Sequence, residues 1–206
     1  MPQPTRNIAI FVSIMLLLTV ATQSLYMATL SGVGIVEGWP LRSTIWTVEL
    51  LLFTGISIAS LVGLIRSSDM QWGWAALLIS GLINILQSGI GLSMFLPAAK
   101  AGAEFAPLTG TLLAGSFLFY NLAKAILGLA ALIFGLALFR NRNAIGRAVG
   151  VLSMLAGVIA MALNIAAVHL GLGSVPFSGA SGSVATLLAG CAIWLAASRS
   201  ERLSTR

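Results

Sequence analysis

Charge is what this sequence has least of. Of its 206 residues only 8% are Asp, Glu, Lys or Arg, and just five are acidic. Soluble domains carry about 25% charged residues. With 58% of the chain hydrophobic, no water-soluble fold of this length could hide the apolar surface. The scarcity of acid leaves no pair of neighbouring carboxylates for acid–base chemistry: Asp69 falls in one loop, Glu37 and Glu104 in others, Glu201 in the tail. Cysteine and histidine occur once each, as Cys191 and His169. A lone cysteine forms no intrachain disulfide and no cysteine metal site. A lone histidine excludes bis-histidine haem ligation, and no cofactor is expected.

What fills the chain instead is a series of six apolar runs of bilayer length: 8–30, 44–65, 72–96, 112–139, 148–170 and 183–197. About 20 apolar residues cross the hydrocarbon. The expected fold is therefore all-α, a polytopic bundle of six transmembrane helices in one domain. The fourth run is too long for a straight span, so its start near Leu112–Ser116 is expected to be interfacial or tilted. The first run, with Arg6 before it and Thr19-Val20-Ala21 within it, also resembles a secretory leader. It continues to Leu30, longer than a leader core, and is read as a span.

The formal charge of +6 is a topology signal rather than a nucleic-acid footprint, because no aromatic residues interleave with the basic ones. Arg6, Arg66, Arg140, Arg142, Arg147, Arg199, Arg202 and Arg206 share one side of the alternating runs; Arg42 and Lys100 share the other. Basic residues collect on the cytoplasmic side, so both termini are expected there. Trp39 and Trp46 fall near the outer interface, and Trp72, Trp74 and Trp194 near the inner one, as in an aromatic belt. Nine Arg against two Lys points to a bacterium, and hence to its inner membrane.

The inner loops divide the chain into three outward hairpins. Leu82-Ile83-Asn84-Ile85 echoes Ala162-Leu163-Asn164-Ile165, and Ala21-Thr22-Gln23-Ser24 echoes Ile85-Leu86-Gln87-Ser88, which suggests repeated hairpins. Trp72-Gly73-Trp74, the glycines Gly81, Gly89 and Gly91, then Pro97, followed by a span ending at Arg140, resemble the hairpin unit of HdeD-like small bacterial membrane proteins. That resemblance implies a six-span, stress-associated inner-membrane protein without known catalysis.

The most informative pattern is depth. Gln23, Glu49, Gln87, Lys124, Asn164 and Ser183 each lie 15–17 residues from the cytoplasmic margin of their own span. At 1.5 Å per residue that is about 22–26 Å, the outer third of the hydrocarbon. Asn84 lies a turn deeper on the face of Gln87, Asn121 a turn shallower than Lys124, and His169 further out than Asn164. Glu49 and Lys124 carry opposite charge at matched depth, and pairing would lower the cost of placing either in the bilayer. One reading is a polar cavity, open to the outside, closed by all six spans and lined by Gln23, Glu49, Asn84, Gln87, Asn121, Lys124, Asn164 and His169. The other is interhelical glue, with charged side chains snorkelling outward.

Other motifs are incomplete. Gly179-Ala180-Ser181-Gly182 matches the Gly-x-Ser-Gly of rhomboid proteases, but no histidine follows Ser181 to act as base. Gly32-Val33-Gly34 and Gly171-Leu172-Gly173 lack every other part of a phosphate loop. Gly146, Gly150, Ala156 and Ala160 have the spacing of close helix contacts. His169 is at an interfacial position, where it would meet headgroups or sense pH.

Three functions remain open from sequence. The first is a non-enzymatic protein that binds or transports a small solute or ion through the polar layer. The second is a scaffold or accessory subunit of a membrane complex, in stress or immunity. The third is a membrane-embedded enzyme. The expected partners are the bilayer and either copies of the chain or unlike membrane subunits, not nucleic acid.

Overall fold

The computed structural model describes residues 3–67, 70–140, 143–171 and 173–204, with side chains from Thr5 to Ser198. Asp69, Arg142, Leu172 and Arg206, and the side chains of Arg199, Glu201 and Arg202, lie outside what it describes.

Six long helices make up the chain: α1 (Gln3–Leu30), α2 (Trp39–Arg66), α3 (Gln71–Lys100), α4 (Ala106–Phe139), α5 (Ala144–Leu170) and α6 (Ser178–Ser204), with a 3₁₀ turn at Ala103–Phe105. All six are long and apolar enough to cross a membrane. The fold is an all-α six-helix bundle, and the chain is a multi-pass membrane protein.

Every helix is longer than its apolar run, at 27 to 34 residues. That is about 40–50 Å, more than the hydrocarbon is thick, so helical hydrogen bonding continues into the interfaces. The expected outer loops shrink accordingly. Pro97, expected to end the third span, sits inside α3, which runs on to Lys100. A proline so near a helix end forfeits one backbone bond without stopping the last turn. The stops come at glycines with positive φ, Gly102 (φ 107°) after α3 and Gly171 (φ 92°) after α5, in a backbone conformation open to glycine.

Five of the helices close a ring in the order α1–α2–α3–α4–α6, and α6 packs back on α1. Helix α5 stands outside it, against α4 and α6. The expectation that six spans surround one cavity is thus corrected to five. The reason lies in the small faces of α4 and α5. A β-carbon on Gly128 would lie 2.6 Å from the Gly157 carbonyl, and one on Gly135 would lie 2.8 Å from the Gly150 carbonyl. Such backbone approach, typical of small residues in membrane helices, holds α5 flat against α4. Ser153 reinforces it by donating to the Ala131 carbonyl at 2.8 Å.

The half of the bundle near the termini is filled. Trp74 is fully buried, edge-on to Phe134 with ring centroids 5.2 Å apart, and its indole lies against Gly63. Leu16, Ile56, Leu77 and Ile193 complete that core. Trp46 is also buried, so neither it nor Trp74 belongs to an interfacial belt; Trp72 and Trp194 are exposed. In both cases a glycine on the facing helix admits the indole: Gly91 for Trp46 and Gly63 for Trp74.

Candidate functional site

The far half of the ring is only partly filled, by a cluster of Leu30, Ile45, Trp46 and Phe95. A cavity of about 630 Å³ lies between the five ring helices, and α5 contributes nothing to its wall. Each helix presents one stripe. On α2 the stripe is Arg42, Trp46, Glu49 and Phe53; on α4 it includes Leu113, Ser116, Phe117 and Tyr120. These are helical intervals, so a single face of each helix looks inward. Gln23 and Tyr26 come from α1, Asn84, Gln87 and Phe95 from α3, and Gly179 and Ser183 from α6. The rim carries Ile35, Met27 and Phe177, the last two exposed. The packed core beneath closes the cavity toward the termini, so it is a blind cup in the far half of the bundle.

A hydrogen-bonded cluster forms its polar floor. The fully buried Lys124 donates to Gln23 Oε1 at 3.0 Å and to Thr186 Oγ1 at 3.2 Å. Its ammonium also lies 5.4 Å from the centre of the Tyr120 ring. Gly182 leaves room for the lysine stem, since a β-carbon there would lie 2.7 Å from Lys124 Cγ. Ser183 donates to the same Gln23 oxygen at 2.9 Å. Both donors need an acceptor, which fixes the Gln23 amide with its oxygen toward Lys124.

Glu49 is 6% exposed and accepts from Thr22 Oγ1 at 3.0 Å. The expected Glu49–Lys124 ion pair is not a direct one among the described residues. Each feels the other's charge, but Gln23 and Thr186 hold the ammonium. The two are buried on α2 and α4, each bonded to a side chain of α1, rather than snorkelling outward to the headgroups.

Of the residues expected to line a cavity, Gln23, Glu49, Asn84 and Gln87 do so, and Lys124 lies behind its floor. Gln87 donates to Ser116 at 3.4 Å. Asn84 Nδ2 bonds the Ser80 carbonyl at 2.9 Å, while its Oδ1 has no partner among the described residues. Asn164, Asn121 and His169 do not reach the cavity. Asn164 bonds the Ala160 carbonyl and Ser178 at the α5–α6 contact. Asn121 is buried on α4; the register of the Gly128–Gly157 and Gly135–Gly150 contacts, carried one heptad further, sets it level with Asn164. His169 is exposed at the end of α5. The two echoed asparagines share one geometry, each amide bonding the carbonyl four residues back and each Oδ1 unpartnered.

Ser181, the serine of the rhomboid-like tetrapeptide, donates to the Ser178 carbonyl at 2.7 Å and accepts from Asn164 at 3.3 Å. It has a packing role there.

Arg42 was missed by sequence reasoning, which placed it in an outer loop. It lies in the first turns of α2, 4% exposed, and donates to the carbonyls of Gly34 and Val33 at 3.2 and 3.1 Å. Its guanidinium stands 5.7 Å from the Tyr26 ring centre and 5.9 Å from that of Trp46. The stripe Arg42, Trp46, Glu49, Phe53 is the signal that would have found it.

No protein-family model matches the chain, and neither a curated protein nor a solved structure does. Fold and cavity together define a multi-pass membrane protein with a blind, amphipathic cup in one half of its bundle.

Proposed function

We propose that the protein binds a small solute in this cup, as a non-enzymatic solute-binding or transport protein of a bacterial inner membrane. The observation that carries the reading is the cup's composition. About 630 Å³ falls within the roughly 300–1,000 Å³ of small-molecule sites, and such sites combine apolar walls with a few placed polar groups. Aromatic walls above a floor of Glu49, Gln23, Gln87 and Asn84 match that description. Interhelical glue would be satisfied by closed packing, as Ser80 and Ser153 are in this bundle by bonding carbonyls across helix contacts.

Arg66, Arg140 and Arg147 gather at the end of the bundle that holds the termini, and Arg42 and Lys100 at the other. The positive-inside rule then puts the termini in the cytoplasm and opens the cup to the outside. Transport would further require the Trp74–Phe134 core to part.

The test is thermal unfolding of the purified protein against a set of cavity-sized cationic, neutral and anionic aromatic compounds. The wild type is expected to be stabilised by at least one class, and Leu113→Trp, which fills the cup, by none. Equal stabilisation of both proteins, or of neither, contradicts the reading.

A further inference from the structure

The charged and aromatic groups of the cup select among solutes. Three ionisable side chains lie in or around it, and they are not equally available. Lys124 is behind the floor, its ammonium bound to Gln23 and Thr186. Both terminal nitrogens of Arg42 are on backbone carbonyls, and its Nε is a buried donor without a partner among the described residues, about two helical turns from Glu49. Glu49 alone lines the cavity with a single hydroxyl as its hydrogen-bonding partner, on Oε1. A carboxylate at membrane depth is costly unless a cation or several donors meet it. The protein groups around it offer few. Thr22 has one hydroxyl hydrogen for both Glu49 and the Thr19 carbonyl, at 3.0 and 2.9 Å, Ser183 and Gln87 direct donors to other side chains, and Asn84 Oδ1 is a further acceptor without a partner among the described residues.

The wall beside Glu49 suits the same charge. Trp46 and Phe53 flank it on α2. Tyr26 stacks on Trp46 with ring centroids 6.0 Å apart, and Phe95 meets Trp46 edge-on at 5.5 Å. Ring faces attract cations, most strongly out of water. The chain demonstrates this at the rim, where its own Arg42 guanidinium lies over two of these rings. Glu49 is seven residues further along α2, about 10 Å deeper.

We propose that the solute is an organic cation: a protonated amine with an apolar or aromatic body. Its ammonium meets Glu49, and its body lies against Trp46, Tyr26 and Phe95. This rests on the cup being a binding site, and the experiment separates the two.

Binding of 2-(2-naphthyl)ethylamine, 2-(2-naphthyl)ethanol and 2-naphthylacetate is measured calorimetrically on the full chain in nanodiscs of zwitterionic lipid, with empty nanodiscs subtracted. The three probes share a body and differ in the head. The amine is expected to bind at least about tenfold tighter than the alcohol, and the carboxylate weakest. Glu49→Gln is expected to weaken the amine about thirtyfold or more and leave the alcohol unchanged, while Glu49→Asp keeps the order of the three. Thermal unfolding of each variant shows that it is folded. If the alcohol or the carboxylate binds as tightly as the amine, or Glu49→Gln leaves the amine unaffected, the cation assignment is overturned; the binding reading survives provided Leu113→Trp abolishes that binding. If the folded wild type binds none of the three, both fall.

Discussion

The Lys124 ammonium reaches across the bundle to the side-chain oxygen of Gln23, 101 residues earlier in the chain, at 3.0 Å. Ser183 shares that oxygen, so one amide joins α1, α4 and α6 at the floor of the cup. Replacing Gln23 with Met keeps the length and removes the acceptor. Hydrogen bonds to charged groups contribute about 1.5–3 kcal/mol, and a loss of that size is expected for Gln23→Met in equilibrium unfolding. Ser24→Ala, at an exposed position next to it, is expected to change stability by less than about 0.5 kcal/mol. Equal effects of the two would show that the bond contributes nothing.

The attachment of α5 depends on bare backbone. Gly157→Ala would set a β-carbon 2.5 Å from the Gly128 carbonyl, while Gly110→Ala meets nothing within 4 Å. The first is expected to cost about 1–3 kcal/mol by forcing the helices apart. The second is expected to be neutral or mildly stabilising, because alanine is the better helix former. Thermal unfolding of the pair in the same nanodiscs decides this.

Trp72 and Trp74 are two residues apart and behave oppositely. Trp74 is fully buried beneath the cup and Trp72 is 80% exposed. Trp74→Ala is expected to cost about 3–5 kcal/mol, and Trp72→Ala under about 1 kcal/mol. Their intrinsic fluorescence separates them too: a polar quencher in the aqueous phase is expected to reach Trp72 and not Trp74.

Orientation is open to a labelling test. In a Cys191→Ser background, Ala103→Cys at the far end is expected to react with a membrane-impermeant maleimide added to intact cells. Ser67→Cys, at the end with the termini, is expected to react only after the cells are opened. The reverse pattern would invert the molecule.

The sequence showed depth and hid rotation. Six apolar runs and their basic margins determined how many helices there are, and the 15–17 residue intervals placed Gln23, Glu49, Gln87 and Lys124 in one layer. Which way each residue faces was hidden, because a helix surrounded by lipid on one side and by apolar neighbours on the other shows little amphipathic contrast. Asn164 therefore looked like a cavity residue and is instead at the α5–α6 contact. Neighbour relations were hidden as well. The close approach at Gly128–Gly157 and Gly135–Gly150 keeps α5 on the outer side of α4, and those glycines read the same in any membrane helix. Arg42 misled for a third reason: its charge counted toward topology, while its two carbonyl partners, eight and nine residues back, depend on a loop conformation.

The cup is closed toward the termini by the core around Trp74 and Phe134 and has a polar floor; in the proposed orientation it opens to the outside. Ser183 lies in that floor. The most direct measurement is the reaction of Ser183→Cys, in a Cys191→Ser background, with a small membrane-impermeant methanethiosulfonate carrying a trimethylammonium group. Added to intact cells, the reagent is expected to modify the cysteine, and more slowly when Leu113→Trp fills the cup. A cysteine that reacts only from the cytoplasmic face, or from neither face, would contradict the account.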